Sequence, residues 1–207
     1  MAEFAATRTP WEVTRSVWRA LFIREFLARI MADRMAWFWM LAEPIAFVAV
    51  MVAVRTVALG TDARISGAEF VPWIITGLLG FFLVRENLTR SLGAVSANAG
   101  LFAYRQVKPV DPVLVRGYIE GVLKTVVLAL FMVAGTLLEF DLLPENVWQA
   151  AFGWASLWAL GLGMGLTFSV LGNLVPEVGH IVRIMSLPLL ILSGVIIPLN
   201  FLPHDLL

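Results

Sequence analysis

Two long stretches of this chain carry no charge at all. From Trp148 to Val175, and again from Ile184 to His204, there is no Asp, Glu, Lys or Arg, and only the short segment from Pro176 to Arg183 divides them. A hydrocarbon layer about 30 Å thick takes roughly 20 apolar residues of α-helix to cross. Both stretches reach that length, and a soluble core has no use for two such helices in tandem. The expectation is an all-α fold: a polytopic bundle of membrane-spanning helices.

Composition agrees where it bears on the point. Sixty per cent of the residues are hydrophobic and 14% charged, against about a quarter charged in soluble domains. Eight Trp and fourteen Phe in 207 residues suit rings that sit at headgroup level. With no cysteine, there is neither a disulfide framework nor a thiolate metal site. The start, MAEFAATRTPWEV, lacks the apolar core and small-residue cleavage site of a signal peptide, so the first spanning helix is expected to act as its own insertion signal.

Along the chain, residues 1–35 read as a polar tail followed by a helix that cannot span, because Arg15, Arg19, Arg24, Glu25, Arg29, Asp33 and Arg34 interrupt every apolar run. Trp18, Phe22, Phe26 and Ile30 recur every four residues and share a broad face. This segment is expected to lie in the membrane interface with its arginines snorkelling to phosphates, or to be partly buried by protein. The membrane domain is 36–207, with spans expected at 36–54, 70–84, 117–138, 148–175 and 181–198. The second span runs out of apolar residues at Val84 and must emerge or kink at Arg85-Glu86. The third begins slowly through Arg116, Glu120 and Lys124, spaced four apart on one face. Five spans are present; the abrupt apolar ending suggests a sixth missing from the chain.

Lysine and arginine set orientation. Six arginines precede Ala36, the 85–112 segment holds Arg85, Arg90, Arg105 and Lys108, and the 176–183 turn holds Arg183; the alternate side holds only Arg64 and Arg55. Eleven against two puts the N-terminus and residues 85–112 in the cytoplasm.

Enzymatic chemistry finds no support. His180 and His204 fall at opposite membrane faces in this topology, and no HExxH, P-loop or GxSxG pattern occurs. No catalytic residue, cofactor-binding residue or metal ligand is expected in this chain. Glu43, within the first span, reads as an interfacial carboxylate paired with a nearby arginine, or else as a proton or substrate site, since an unpaired charge there is costly. Gly161 and Gly165 make a GxxxG spacing suited to close helix packing within the chain. The 85–112 segment is too polar for the membrane and too long for a tight turn. It is either a solvated loop or a surface presented to a cytoplasmic partner; nucleic acid is not indicated, because four basic residues beside a membrane answer to anionic lipid and topology.

Four stretches, covering nearly the whole chain, carry a family resemblance: RALFIREFLARIMADRMAWFWMLAEPI with its Leu41, Glu43 and Pro44; VPWIITGLLGFFLVRENLTRSLGAVSANAGLF; VKPVDPVLVRG; and LVPEVGHIVRIMSLPLLILSGVIIPLNFLP. The chain resembles the membrane subunits of type-2 ABC exporters, specifically the permeases that export capsule and O-antigen polysaccharide. The resemblance implies a multi-pass protein of the bacterial inner membrane, working as a homodimer with two copies of a separate cytoplasmic ATPase subunit that holds the ATP and Mg. It implies a lipid-linked polysaccharide substrate and allows periplasmic export partners. It implies ATPase docking near Asn98, Leu101, Tyr104, Arg105 and Lys108, and a re-entrant element from Leu199 to Leu207. Aromatic side chains suit a sugar path, and Trp37, Trp39, Trp73, Phe81, Phe82, Trp154 and Trp158 are the candidates, with interfacial anchoring as the alternative. Arg24, Arg85 and Arg90 are candidates for the phosphate of the lipid linkage. The competing functions are export of lipo-oligosaccharide, teichoic acid or a drug by the same kind of machine, an ATP-independent transporter, or a membrane scaffold.

Overall fold

Thr9 and Glu12 start the first helix by exchanging hydrogen bonds: the Thr9 N–H donates to Glu12 Oε2 (2.9 Å) and the Glu12 N–H to Thr9 Oγ1 (3.3 Å). This is a capping box, with Pro10 in the first helical position, where its missing N–H costs nothing. The computed structural model describes residues 9–31, 35–59, 70–140 and 142–196, without the side chains of Ile30, Ala36, Trp37, Arg55, Thr56, Ala58 and Leu59. The helices are α1 (Pro10–Met31), α2 (Ala36–Leu59), α3 (Phe70–Leu92), the single turn α4 (Ala94–Ala97), a 3₁₀ turn (Ala99–Ala103), α5 (Val110–Leu137), α6 (Val147–Leu174) and α7 (Glu177–Leu192). No strand occurs among the described residues. Helices α3, α5 and α6 are each long and apolar enough to cross a membrane, and the fold is an all-α polytopic membrane bundle.

Helix α3 is the centre. It packs against α2, α5, α6 and α7, and Ile74, Ile75, Leu78, Leu79, Phe82 and Leu83 are each at most 5% exposed. Pairs such as Ile74–Leu78 and Ile75–Leu79 lie one turn apart, so residues on more than one face of the helix are covered. Helix α6 reaches α3 through small residues. A Cβ on Gly161 would lie 3.0 Å from the Val84 Cα, and one on Gly165 would lie 2.5 Å from Ser91 Oγ. The two backbones therefore sit closer than any side chain between them allows, as the Gly161/Gly165 spacing predicts. Helix α5 joins α6 in the same manner at Gly121, whose missing Cβ is replaced by the Trp158 ring, 2.2 Å from where it would stand.

The observed ends differ from the sequence expectations in four places. Helix α2 runs past the expected 54 to Leu59. Helix α3 does not stop at Val84 but runs two further turns through Arg85 and Glu86 to Leu92. Arg85 and Arg90 face carboxylates of α2 and α5, and Glu86 is met by Arg90 within α3 itself, so the helix has no need to break. Helix α5 begins at Val110, seven residues before the expected 117, because Asp111 Oδ2 accepts the Lys108 N–H (2.7 Å) and Pro112 is tolerated in the first turn. Helix α7 begins at Glu177 and ends at Leu192, short of the expected 198. Gly194 ends it, with a φ of 77°, a conformation that favours glycine. The chain then turns Val195 inward, where it is 8% exposed against Gly77, and the Val195 carbonyl accepts the Trp73 indole N–H (3.3 Å). The expected re-entrant element from Leu199 to Leu207 lies outside the described residues.

Candidate functional site

The charged side chains that interrupt α1, α3 and α5 meet at one end of the bundle. On α5, Arg116 reaches Glu25 of α1 with Nε at 2.9 Å and its NH2 nitrogen at 3.2 Å, and its NH1 donates to the Arg90 carbonyl (3.3 Å). Glu25 also accepts from Arg24 (3.2 Å) and from Asn98 Nδ2 (3.3 Å). Arg24 in turn donates to Asn98 Oδ1. One turn further along α1 and α5, Arg29 Nε stands 3.1 Å from Glu120 Oε1, and Arg90 Nε lies 3.5 Å from that same oxygen and 3.5 Å from Glu86. Arg85 lies 3.5 Å from Glu43 of α2, the arginine partner expected for that carboxylate. Bidentate guanidinium–carboxylate pairs add geometric specificity to charge attraction, so α1 is held on the bundle in one register.

The electrostatics of Glu25 follow from this setting. Burial alone raises its pKa, but hydrogen bonds and charge from Arg116, with further hydrogen bonds from Asn98 and Arg24, outweigh it and hold the carboxyl below its ordinary value. Beneath the ionic layer, Leu21 of α1 is 4% exposed against Val115, Ile119 and Leu123 of α5, with Phe22, Phe26, Leu101 and Val107 around them. At the start of α5, the buried Asp111 accepts the Trp18 indole N–H on Oδ1 (2.9 Å). Apolar burial and the ionic layer thus join α1, the 94–109 segment and the first half of α5 into one unit.

The structure separates the five docking candidates. Asn98 is 1% exposed, with Nδ2 donating to the Ala94 carbonyl (2.8 Å) as well as to Glu25, so its side chain is internal glue and not surface. Leu101 packs on the Leu21–Val115 cluster. Tyr104, Arg105 and Lys108 are exposed, Tyr104 by 66%, and these three are the ones the fold displays outward.

The aromatic candidates divide too. Phe82 is 3% exposed and has two cations over its ring, Lys124 Nζ at 5.4 Å and Arg85 Cζ at 5.6 Å from the centroid. Phe81 packs against the α3-centred core. Trp154 donates to Thr125 Oγ1 (2.9 Å) and Trp158 to the Gly117 carbonyl (2.9 Å), each tying α6 to α5, while Trp73 is tied to Val195 as above. Trp39 is 61% exposed; the side chain of Trp37 lies outside the described residues. The phosphate candidates Arg24, Arg85 and Arg90 are all ion-paired, with between 34% and 46% of each side chain exposed. Glu25, Arg29, Arg116 and Glu120 complete the ionic layer, and no site role was read for them in the sequence. Their four-residue spacing, Glu25/Arg29 on α1 and Arg116/Glu120 on α5, is the signal that two facing helices pair them.

Comparison with known proteins gives a consistent picture. No family model matches the chain. It is 31% identical over 202 residues to the polysialic acid transport protein KpsM of Escherichia coli, covering 96% of this chain and 76% of that protein. It is 26% identical over 196 residues to the capsule polysaccharide export inner-membrane protein CtrC of Neisseria meningitidis serogroup B, covering 93% and 73%. To the corresponding protein BexB of Haemophilus influenzae it is 24% identical over 184 residues, covering 89% and 69%. With an all-α membrane bundle and a likeness that runs through almost its whole length, this chain belongs to the capsule polysaccharide export permeases, the membrane subunits of ABC exporters.

Proposed function

We propose that this permease pairs with a second copy of itself and with a separate cytoplasmic ATPase, and that the ATPase docks on the end of the bundle built from α1, residues 94–109 and the start of α5. The observation that carries this reading is the double link Arg116–Glu25–Asn98. It makes the segment bearing Tyr104, Arg105 and Lys108 mechanically continuous with α5, a helix long enough to span. A push on that segment is delivered to α5 and, through Gly121–Trp158, to α6. In this reading the charged end faces the cytoplasm, in keeping with the excess of arginine there. The cargo is a capsular or related polysaccharide on a lipid anchor, and Arg24, at the rim of the ionic layer, is the best placed of the arginines to meet its phosphate.

The test is purification from native membranes under mild conditions. An ATP-binding subunit is expected to come along in equal amount, and Arg105→Glu with Lys108→Glu is expected to release it while the permease stays folded. ATP-driven glycan movement into vesicles by the permease alone, with no hydrolysing subunit, overturns the proposal.

A further inference from the structure

Between α1, α3 and α5 lies a cavity of about 180 Å³ lined by Glu25, Ala28, Arg29, Arg90, Arg116, Ile119 and Glu120. Its charged wall is unevenly satisfied. Arg116 and Glu25 saturate one another. Glu120, 3% exposed, draws both Arg29 and Arg90 to a single oxygen, Oε1, and leaves its other oxygen, Oε2, buried with no hydrogen-bond partner among the described residues. Lys124, one turn further along α5, does not fill that gap among the described residues, for its ammonium lies over the Phe82 ring at 5.4 Å. On the cationic side, the buried Arg29 Nε–H lies 3.1 Å from Glu120 Oε1 but is not aligned on it, and makes no hydrogen bond among the described residues. A buried carboxylate oxygen without a donor is costly, and a buried guanidinium N–H misaligned with its acceptor forgoes part of its hydrogen bond. The cavity therefore asks for a donor and an acceptor at once.

Charge balance narrows the occupant. The wall holds three guanidiniums and two carboxylates, and Glu86 behind Arg90 makes a third. A free phosphate brings uncompensated negative charge beside Glu120, and a simple cation faces the arginines. A neutral zwitterion brings neither. Depth narrows it further: the cavity sits where the apolar run of α3 has ended at Val84 and that of α5 has not begun before Thr125, the level of lipid headgroups. We propose that this cavity binds a membrane lipid with a phosphoethanolamine headgroup, its phosphate accepting from Arg29 and Arg90 and its primary ammonium donating to Glu120 Oε2. Bound there, the lipid wedges α1 against α3 and α5. The site shares Glu25 and Arg116 with the end of the bundle proposed to dock the ATPase, but requires neither ATPase nor glycan, and its test reads lipid binding alone.

The experiment is a thermal-shift and native mass spectrometry titration of the protein, purified with whatever companions it retains, using dihexanoyl phosphatidylethanolamine, phosphatidylcholine and phosphatidylglycerol. O-phosphoethanolamine and inorganic phosphate serve as chain-free probes. The ethanolamine lipid is expected to bind roughly tenfold more tightly than the choline or glycerol lipid, the ratio a single charge-assisted hydrogen bond supports. Glu120→Gln is expected to remove that preference while leaving residual lipid binding. O-phosphoethanolamine matching its lipid form would show a soluble ligand and overturn the lipid assignment. Equal binding of the three lipids by the unaltered protein overturns the site, and that comparison needs no variant to fold. Preference for the ethanolamine lipid that survives in a folded Glu120→Gln protein overturns the role given to Glu120.

Discussion

Arg116 grips Glu25 with two nitrogens, at 2.9 and 3.2 Å, across 91 residues of chain. The pair is 21% and 12% exposed, so it is neither a solvated surface contact nor a fully dry one. It is the principal polar tie between the amphipathic first helix and the bundle, and most of what can be tested about this end of the molecule follows from it.

Removing one partner leaves the other partly buried and uncompensated. Glu25→Ala is expected to destabilise the docked α1 by about 3 kcal/mol, the scale for breaking a buried pair. Arg116→Lys keeps the charge but not the planar fork, so it should lose a smaller part, about 1–2 kcal/mol. Protease accessibility of α1 in purified protein, compared with unfolding of the whole bundle, separates release of this helix from global loss.

The Glu25 carboxyl titrates below its ordinary value of 4.5. A group whose pKa is lowered by folding contributes stability that is complete above its unfolded pKa and drains away as pH falls through the folded one. Docking of α1 should therefore be insensitive to Glu25 above about pH 5 and weaken as the medium is acidified below pH 4.5. Glu25→Gln should flatten that part of the profile. Trp fluorescence, reporting Trp18 at its contact with Asp111, is the measurement.

Gly121 has a Trp158 ring atom 2.2 Å from where its Cβ would be. Gly121→Ala must displace an indole that also holds the Gly117 carbonyl, and is expected to cost about 1–3 kcal/mol. Trp158→Leu in the same chain should restore part of the loss, since the smaller side chain vacates the space. Thermal unfolding of the two single variants and the double variant gives the coupling.

Tyr104, Arg105 and Lys108 are exposed and Asn98 is not. Charge reversal at Arg105 and Lys108 should leave stability within about 0.5 kcal/mol of the parent while reducing co-purification of an ATPase subunit. Asn98→Ala should do the opposite in order of effect, lowering stability by about 1–3 kcal/mol through the unpartnered groups it leaves. A single series of pull-downs and melts distinguishes the two behaviours.

Much of this protein is legible without coordinates because membrane insertion is governed by local composition. A run of apolar residues such as Trp148–Val175 must be a helix of spanning length wherever it sits, and the observed α6, Val147–Leu174, differs from it by one residue at each end. The Gly161/Gly165 spacing similarly announced a close helix contact, and Glu43 announced a paired carboxylate. Where charge entered a helix, composition did not say whether the helix itself ends. Arg85 and Glu86 close the apolar run of the second span, and α3 continues through them, with Glu43 of α2 facing Arg85 and Arg90 of α3 itself facing Glu86. Asn98 read as surface and is internal, because the acceptor and donor that hold it belong to Ala94 and to α1, 73 residues away.

The sequence by itself determined that the chain is a helical membrane bundle and the family it belongs to, since each depends on residues near one another in the chain. Tertiary structure alone decided which charges meet. Glu25 and Arg116, Arg29 and Glu120, and Arg85 and Glu43 are paired by helix register and crossing, and the energy of an ion pair depends on a distance and a desolvation that no linear pattern contains.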